Sequence, residues 1–346
     1  MYESSKNSIK MKNILLLLVM FMCGNLFSQD LQYSQFNSMP MATNPAFAGN
    51  SYCNYRISGI YRNQWMGSSD FKSYQSASFG GDFNLGKSSN DLANIWGFGI
   101  IGNFDKTASN TFSNHSLYLN IAYHLRFGKN SNSFLSFGLQ GGLGQRAFTP
   151  GNLIFDDQID PFGVKYQPSS SESFANESKM YSDFNFGSLL TLNPSSALNI
   201  YMGASAFHLT QPNISFSNQE YKLPTRINFH AGANYMFSDL YLLPSMYIQY
   251  QQVSNLNFGG YFGKTLKPET ETTMPIIGYL GLWYKSTDAI TPAFRMDVGS
   301  VSFVFSYDVH IGKISNNQGS IGSPELSINY FGCFGRNSKR TGCPAL

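Results

Sequence analysis

Residues 116–127 read SLYLNIAYHLRF. Leu117, Leu119, Ile121, Tyr123, Leu125 and Phe127 fall on one side of an extended chain, and Ser116, Tyr118, Asn120, His124 and Arg126, with Ala122 among them, fall on the other. Successive side chains of a strand point to opposite faces, so the stretch is a strand with one apolar and one polar face. The pattern returns in 226–237, where Ile227, Phe229, Ala231, Ala233, Tyr235 and Phe237 oppose Arg226, Asn228, His230, Gly232 and Asn234. It returns again in 301–311, with Val301, Phe303, Phe305, Tyr307, Val309 and Ile311 set against Ser302, Ser306, Asp308 and His310.

The start of the chain and its composition decide what such strands face. Lys6, Lys10 and Lys12 precede the apolar run 14–22, and small or polar residues follow it. This is the layout of a secretory signal peptide over residues 1–28, with the cut just before Gln29. Cys23 raises a lipoprotein as the alternative, although no small residue stands immediately before it. Taking the leader's three lysines and one glutamate from 23 basic and 20 acidic residues leaves 20 and 19. A nearly neutral chain offers no electrostatic footprint for nucleic acid. Charged residues make up 12% of the 346 residues and aromatics 16%, with 32 Gly. Nothing after residue 28 is long and apolar enough for a spanning helix. An exported chain of this kind reads as a transmembrane antiparallel β-barrel of the outer membrane, apolar faces to lipid and polar faces to the lumen.

Fourteen strand-like runs follow one another, near 52–63, 71–85, 96–106, 113–127, 133–146, 183–192, 197–209, 226–237, 241–249, 255–265, 274–286, 290–296, 300–311 and 325–331. An even number near this length suits such a barrel. Connections 128–132 and 238–239 are short, as periplasmic turns are. The stretch 147–182, with Asp156, Asp157 and Asp160, reads as a long extracellular loop. Residues 29–50 break the pattern. Their core, QYSQFNSMPMATNPAFAG over 32–49, is too rich in Pro, Asn and small residues for a helix or a central strand. The expected organisation is therefore a leader (1–28), an irregular N-terminal segment acting as plug or periplasmic closure (29–50), a barrel (51–334) and a short tail (335–346).

The sequence offers no motif of catalysis or cofactor binding: HExxH, GxSxG, phosphate loops and dinucleotide fingerprints are missing. The expectation is a protein that is not an enzyme and holds no cofactor or metal. The acidic cluster lacks the Gly-punctuated spacing of a calcium loop, so a solvated loop is the better reading. His124, His230 and His310 fall on polar strand faces and predict lumen hydrogen bonding. Cys333 and Cys343 bracket a basic, Gly-rich loop that a disulfide would close, with free thiols as the alternative.

Gln32, Gln35 with Phe36, the run Asn44-Pro45-Ala46-Phe47-Ala48-Gly49 and then Tyr61-Arg62-Asn63-Gln64-Trp65 closely resemble the N-terminal signature of the PorP/SprF family of type IX secretion outer-membrane proteins. Matches also fall at His208-Leu209 with Pro212, Leu223-Pro224 with Arg226, Ser306-Tyr307-Asp308 and Pro324-Glu325-Leu326-Ser327, and the Cys343-Pro344 ending looks like that of SprF-type members. The resemblance implies a partner for a large secreted surface adhesin of the gliding-motility kind, held through its C-terminal domain. PorP-like members are instead associated with the periplasmic part of the secretion machinery. Gln32, Gln35, Phe36, Asn44, Pro45, Ala46, Phe47, Gly49, Arg62, Gln64 and Trp65 become the candidate plug or partner-binding residues. Trp65 also suits a membrane-interface anchor. A passive porin, with the acidic loop facing Arg126 and Arg226, is the reading from another class.

Overall fold

The computed structural model describes residues 30–65, 73–85, 94–107, 111–128, 133–150, 177–216, 220–270, 273–286, 289–311 and 322–333. Fourteen strands occupy them: β1 Tyr55–Gln64, β2 Tyr74–Leu85, β3 Ile95–Lys106, β4 Phe112–Phe127, β5 Ser133–Phe148, β6 Glu177–Ser195, β7 Leu198–Phe207, β8 Arg226–Phe237, β9 Leu240–Gln251, β10 Val253–Lys267, β11 Ile276–Lys285, β12 Ala289–Val298, β13 Val301–His310 and β14 Gly322–Gly332. Each pairs antiparallel with its neighbours in sequence, and β14 returns to β1 through pairs from Tyr55↔Gly332 to Arg62↔Glu325. The result is a closed barrel with every expected strand in place. Closure pairs the backbone of the wall from within, which is what lets strands cross a bilayer.

Burial is inverted relative to a water-soluble sheet, and the two-residue period explains it. On β4, Leu119 is 66% exposed and Asn120 4%; on β8, Phe229 is 53% exposed and Asn228 is fully buried. The apolar phase therefore faces outward and the polar phase inward, as lipid outside and a polar lumen inside require. Such a surface would be an aggregation hazard in water, and in a membrane it is the surface that the solvent matches.

The two ends of the barrel differ. Two-residue turns join β6 to β7, β8 to β9 and β12 to β13 at the end where Tyr55 enters and Gly332 leaves. The opposite rim has one tight turn, at Gln252 between β9 and β10, and also the longest connection, from Phe148 to Glu177, which with both strand termini at the other end makes it the outer rim. The expected long loop is shorter than 147–182, because β5 runs on to Phe148 and β6 begins at Glu177. Around Gln145, Arg146, Ser178 and Lys179 both faces are polar. The apolar phase fades where the sheet rises out of lipid, and the period-2 signal fades with it. Asp156, Asp157 and Asp160 lie outside the described residues.

The disulfide also differs from expectation. Cys333 is bonded to Cys53, not to Cys343, with Cα atoms 4.6 Å apart. The β1–β14 register brings the two together just beyond Tyr55↔Gly332, although they are 280 positions apart in sequence. Cys343 lies outside the described residues. The bond ties the first strand's approach to the last strand's exit at the closing seam. Replacing Cys53 and Cys333 by Ser is expected to destabilise the folded barrel by about 2–4 kcal/mol, the usual contribution of a disulfide. The heat-modifiable band on SDS gels reads the effect: the double variant unfolds at lower temperature, and reductant shifts the wild type and leaves the variant unmoved.

Candidate functional site

The segment 31–50 runs down the inside of the barrel. It is built from short turns: a 3-10 turn at Phe36–Ser38, a single α-turn at Pro40–Thr43 and a second 3-10 turn at Pro45–Phe47. Pro40 and Pro45 open their turns, where a missing amide proton costs nothing. The Asn44 side chain caps the second, its Oδ1 accepting from the Ala46 amide at 2.9 Å. Turns this short leave many amides and carbonyls unpaired, and in a closed lumen the wall has to satisfy them.

At the outer end four charged side chains do so. Arg62 on β1, Lys285 on β11, Asp308 on β13 and Glu325 on β14 all point into the lumen and are nearly inaccessible. The Glu325 carboxylate accepts from the amides of Ser34 and Gln35 at 2.9 and 2.7 Å. Asp308 receives the Ser34 and Thr291 hydroxyls, both at 2.6 Å, the Arg62 guanidinium at 2.8 Å and the Lys285 ammonium at 3.2 Å. Arg62 also donates to the carbonyl of Gln32, and Lys285 to the Ser34 hydroxyl. Two cations and two carboxylates thus balance, and each makes at least two of the hydrogen bonds that buried charges require. Beside them the Tyr33 phenol meets the Ser78 hydroxyl at 2.8 Å.

Midway down, the anchors are neutral. Phe36 stacks on Tyr247 at 5.2 Å within a lumenal aromatic cluster that includes Tyr261, Tyr279 and Trp283. Gln35 Oε1 accepts from the Tyr261 hydroxyl at 2.7 Å. The Thr43 carbonyl receives Ser205 and Asn228, and the Asn44 amide group reaches the Ser188 carbonyl at 2.8 Å and His230 Nε2 at 2.9 Å.

Charge returns at the periplasmic end. Asp82 accepts from the Gly49 amide at 2.8 Å and from Arg56 through both oxygens, while Arg56 also donates to the Phe47 carbonyl. His124 lies 2.9 Å from the Ala48 carbonyl through Nε2; only a protonated Nε2 makes that bond, since a carbonyl cannot donate. Gly49 has φ +71°, and a Cβ there would lie 2.6 Å from the Cα of Gly97 on β3. A side chain on Gly97 would in turn meet the Ala48 carbonyl at 1.9 Å, so two backbones touch where only glycine fits.

Most of the residues singled out in the sequence therefore meet in one structure. Gln32, Gln35, Phe36, Asn44, Pro45, Ala46, Phe47, Gly49 and Arg62 belong to the plug and its anchors. Gln64 and Trp65 instead end β1 at the outer rim, with the Trp65 ring edge-on to Tyr74 at 5.0 Å. His310 Nε2 lies 3.5 Å from the Ser323 hydroxyl in the lumen wall. Sequence reasoning missed Arg56, Asp82 and Lys285 as anchors, and the anchoring roles of Asp308 and Glu325. Their signal was a charge on the polar phase of a strand in a chain that carries few charges. The plug leaves a cavity of about 30 Å³ lined by Gln35, Asn37, Tyr201, Arg295 and Asn329 among others. That is room for one or two waters. Among the described residues no three His, Cys, Asp or Glu are gathered as a metal site would need.

No curated protein matches the sequence. Among solved structures the chain is similar to a Pseudomonas aeruginosa FadL homologue, at 9% identity and a TM-score of 0.47 over 89% of this chain and 95% of that one. It is also similar to the Pseudomonas putida toluene transporter TodX, at 10% identity and 0.49 over 88% and 99%. The model of the type IX secretion system membrane proteins PorP/SprF matches residues 25–330, a span that takes in the plug and all but the end of the last strand. With a closed fourteen-stranded barrel under that match, the chain belongs to the PorP/SprF family and is an outer-membrane component of the type IX secretion system.

Proposed function

We propose that this barrel is a non-enzymatic partner that holds a large secreted surface adhesin at the outer membrane through the adhesin's C-terminal domain. The observation that carries the reading is the filled lumen. Among the described residues, 31–50 lie in the lumen on charged anchors at both ends, and the pocket lined by Gln35, Tyr201 and Arg295 beside them has room for a water or two. A polypeptide would have to displace this plug to pass through the lumen. The client leaves through a separate translocon, and what this chain offers it is an outer rim rather than a pore. Arg56, Arg62, Asp82 and Glu325 bond the plug's own backbone, which supports a scaffold whose lumen is committed to its plug.

Deleting the gene and comparing the cell-surface proteins tests this reading. Loss of one large adhesin, with other type IX cargo still exported, is the expected outcome. Retention of all cargo inside the cell would make the chain a general machinery part, in the manner of PorP-like members. The filled lumen is tested separately in planar bilayers. The full barrel is expected to show no stepwise conductance, and a barrel lacking residues 31–49 to show steps; equal conductance of the two would refute the plug.

A further inference from the structure

The outer rim is uneven. β6 starts at Glu177, yet its first pair with β7 is Phe186↔Ala206, so residues 177–185 rise past the neighbouring strand on that side. On the other side they stay fully paired to β5, up to Phe148↔Glu177. This is a free strand edge, which the closed part of the barrel does not have.

Which backbone groups the edge presents follows from the alternation of an antiparallel ladder. The Phe184 carbonyl accepts the Leu209 amide at 3.0 Å, and the Ser182 carbonyl accepts the Thr210 hydroxyl at 3.3 Å. Both partners come from the β7 side, so even-numbered residues direct their amides and carbonyls there and odd-numbered ones direct theirs to β5. Among the described residues, 208–216 and 220–223 close the edge only that far. Beyond it, Tyr181 packs with Ile214 and Leu223, and Lys179 reaches the Ser215 carbonyl. Those contacts cover the sheet's inner face and, among the described residues, leave its side open. The amides of Ser178, Met180 and Ser182 and the carbonyls of Ser178 and Met180 face outward along the edge, and Met180 is 65% exposed.

The height of this edge matters. Its outward row, Met180 beside Gln145 beside His115, lies just above the row of Ser182, Leu143 and Leu117, and the next row down holds Phe184 and Leu119. The groups of Ser178 and Met180 that are unpaired among the described residues therefore stand above the outward leucines, at the membrane boundary where an exported protein can reach them, while Ser182 marks the level at which the apolar face begins.

We infer that the 178–182 edge of β6 is a docking site for an extended strand of a surface partner, which adds to the sheet through main-chain hydrogen bonds. Donors and acceptors alternating on one side of a strand fit another extended backbone and fit little else. The identity of the partner as the client adhesin rests on the function proposed above; the availability of the edge does not.

Two measurements test the two parts. In the purified barrel, amide exchange read by NMR should alternate. Ser178, Met180 and Ser182 should exchange within roughly tenfold of an unstructured chain, and Lys179 and Tyr181, bonded to β5, about a thousandfold more slowly or beyond. Protection of all five would mean that the chain covers its own edge, and the inference would fall. In cells, Met180→Pro removes one edge amide that has no partner in the wall, whereas Met180→Ala keeps it. Met180→Pro should lower surface-retained adhesin by about tenfold or more, the scale of one or two lost hydrogen bonds. Met180→Ala should retain it, and both should keep the heat-modifiable folded band. Full retention in Met180→Pro, or equal loss in both variants, overturns strand addition. If the gene deletion itself spares the adhesin, the proposed function fails, while the exchange pattern still decides whether the edge is open.

Discussion

The structure depends on one constraint: a polar backbone placed inside a closed barrel has to find its hydrogen bonds in the wall. Residues 31–50 form only three short turns, and turns leave most of their amides and carbonyls free. The wall answers with carboxylates where amides cluster, as at Glu325 and Asp82, and with amide or hydroxyl donors where carbonyls cluster, as at Asn228 and Ser205. Asp82 is in turn paired with Arg56 on the neighbouring strand, and Asp308, beside Glu325, with Arg62 and Lys285. Removing one member of such a set would leave a buried charge behind, at a cost of about 3–5 kcal/mol. The inward phase of the strands is thus specified by the plug as much as by the barrel.

This explains how much could be read from the sequence. Strand existence, number and facing were legible because lipid outside and polar groups inside write a two-residue period into every span, as in 116–127. Strand ends were less so. β6 was expected to begin at Asp183 and begins at Glu177, since a sheet above the membrane has water on its outer face and no reason to alternate. The plug was legible as a break in the pattern, and its residues carried the family resemblance. Its anchors were not, because Lys285 and Asp82 sit in different strands and only the barrel's closure brings them to Ser34 and Gly49.

The disulfide illustrates the same limit. A local reading pairs Cys333 with the nearest thiol in sequence, ten residues on. Closure places the end of β14 against the start of β1 instead, which makes Cys53 the near neighbour in space. Information of that kind belongs to topology and not to any window of residues. Once the strand count and the antiparallel order are granted, the seam follows, and with it the pairing.

Strand length carries the last step. β11, β12 and β13 have ten residues each, close to the minimum for crossing a bilayer at a tilt, while β4 and β5 have sixteen and β6 nineteen. The extra residues cross nothing. They raise one arc of the wall into water, and because β7 stops short, they open the edge that closure removes elsewhere. A barrel whose only task was to span the membrane around a plug would gain nothing from that arc and would incur an aggregation hazard from it. The hazard makes physical sense if something pairs with the edge. The plugged lumen and the uneven rim are thus two sides of one arrangement: the inward phase of the wall is taken up by the plug, and the backbone groups left without a partner among the described residues lie on one side of the outer mouth.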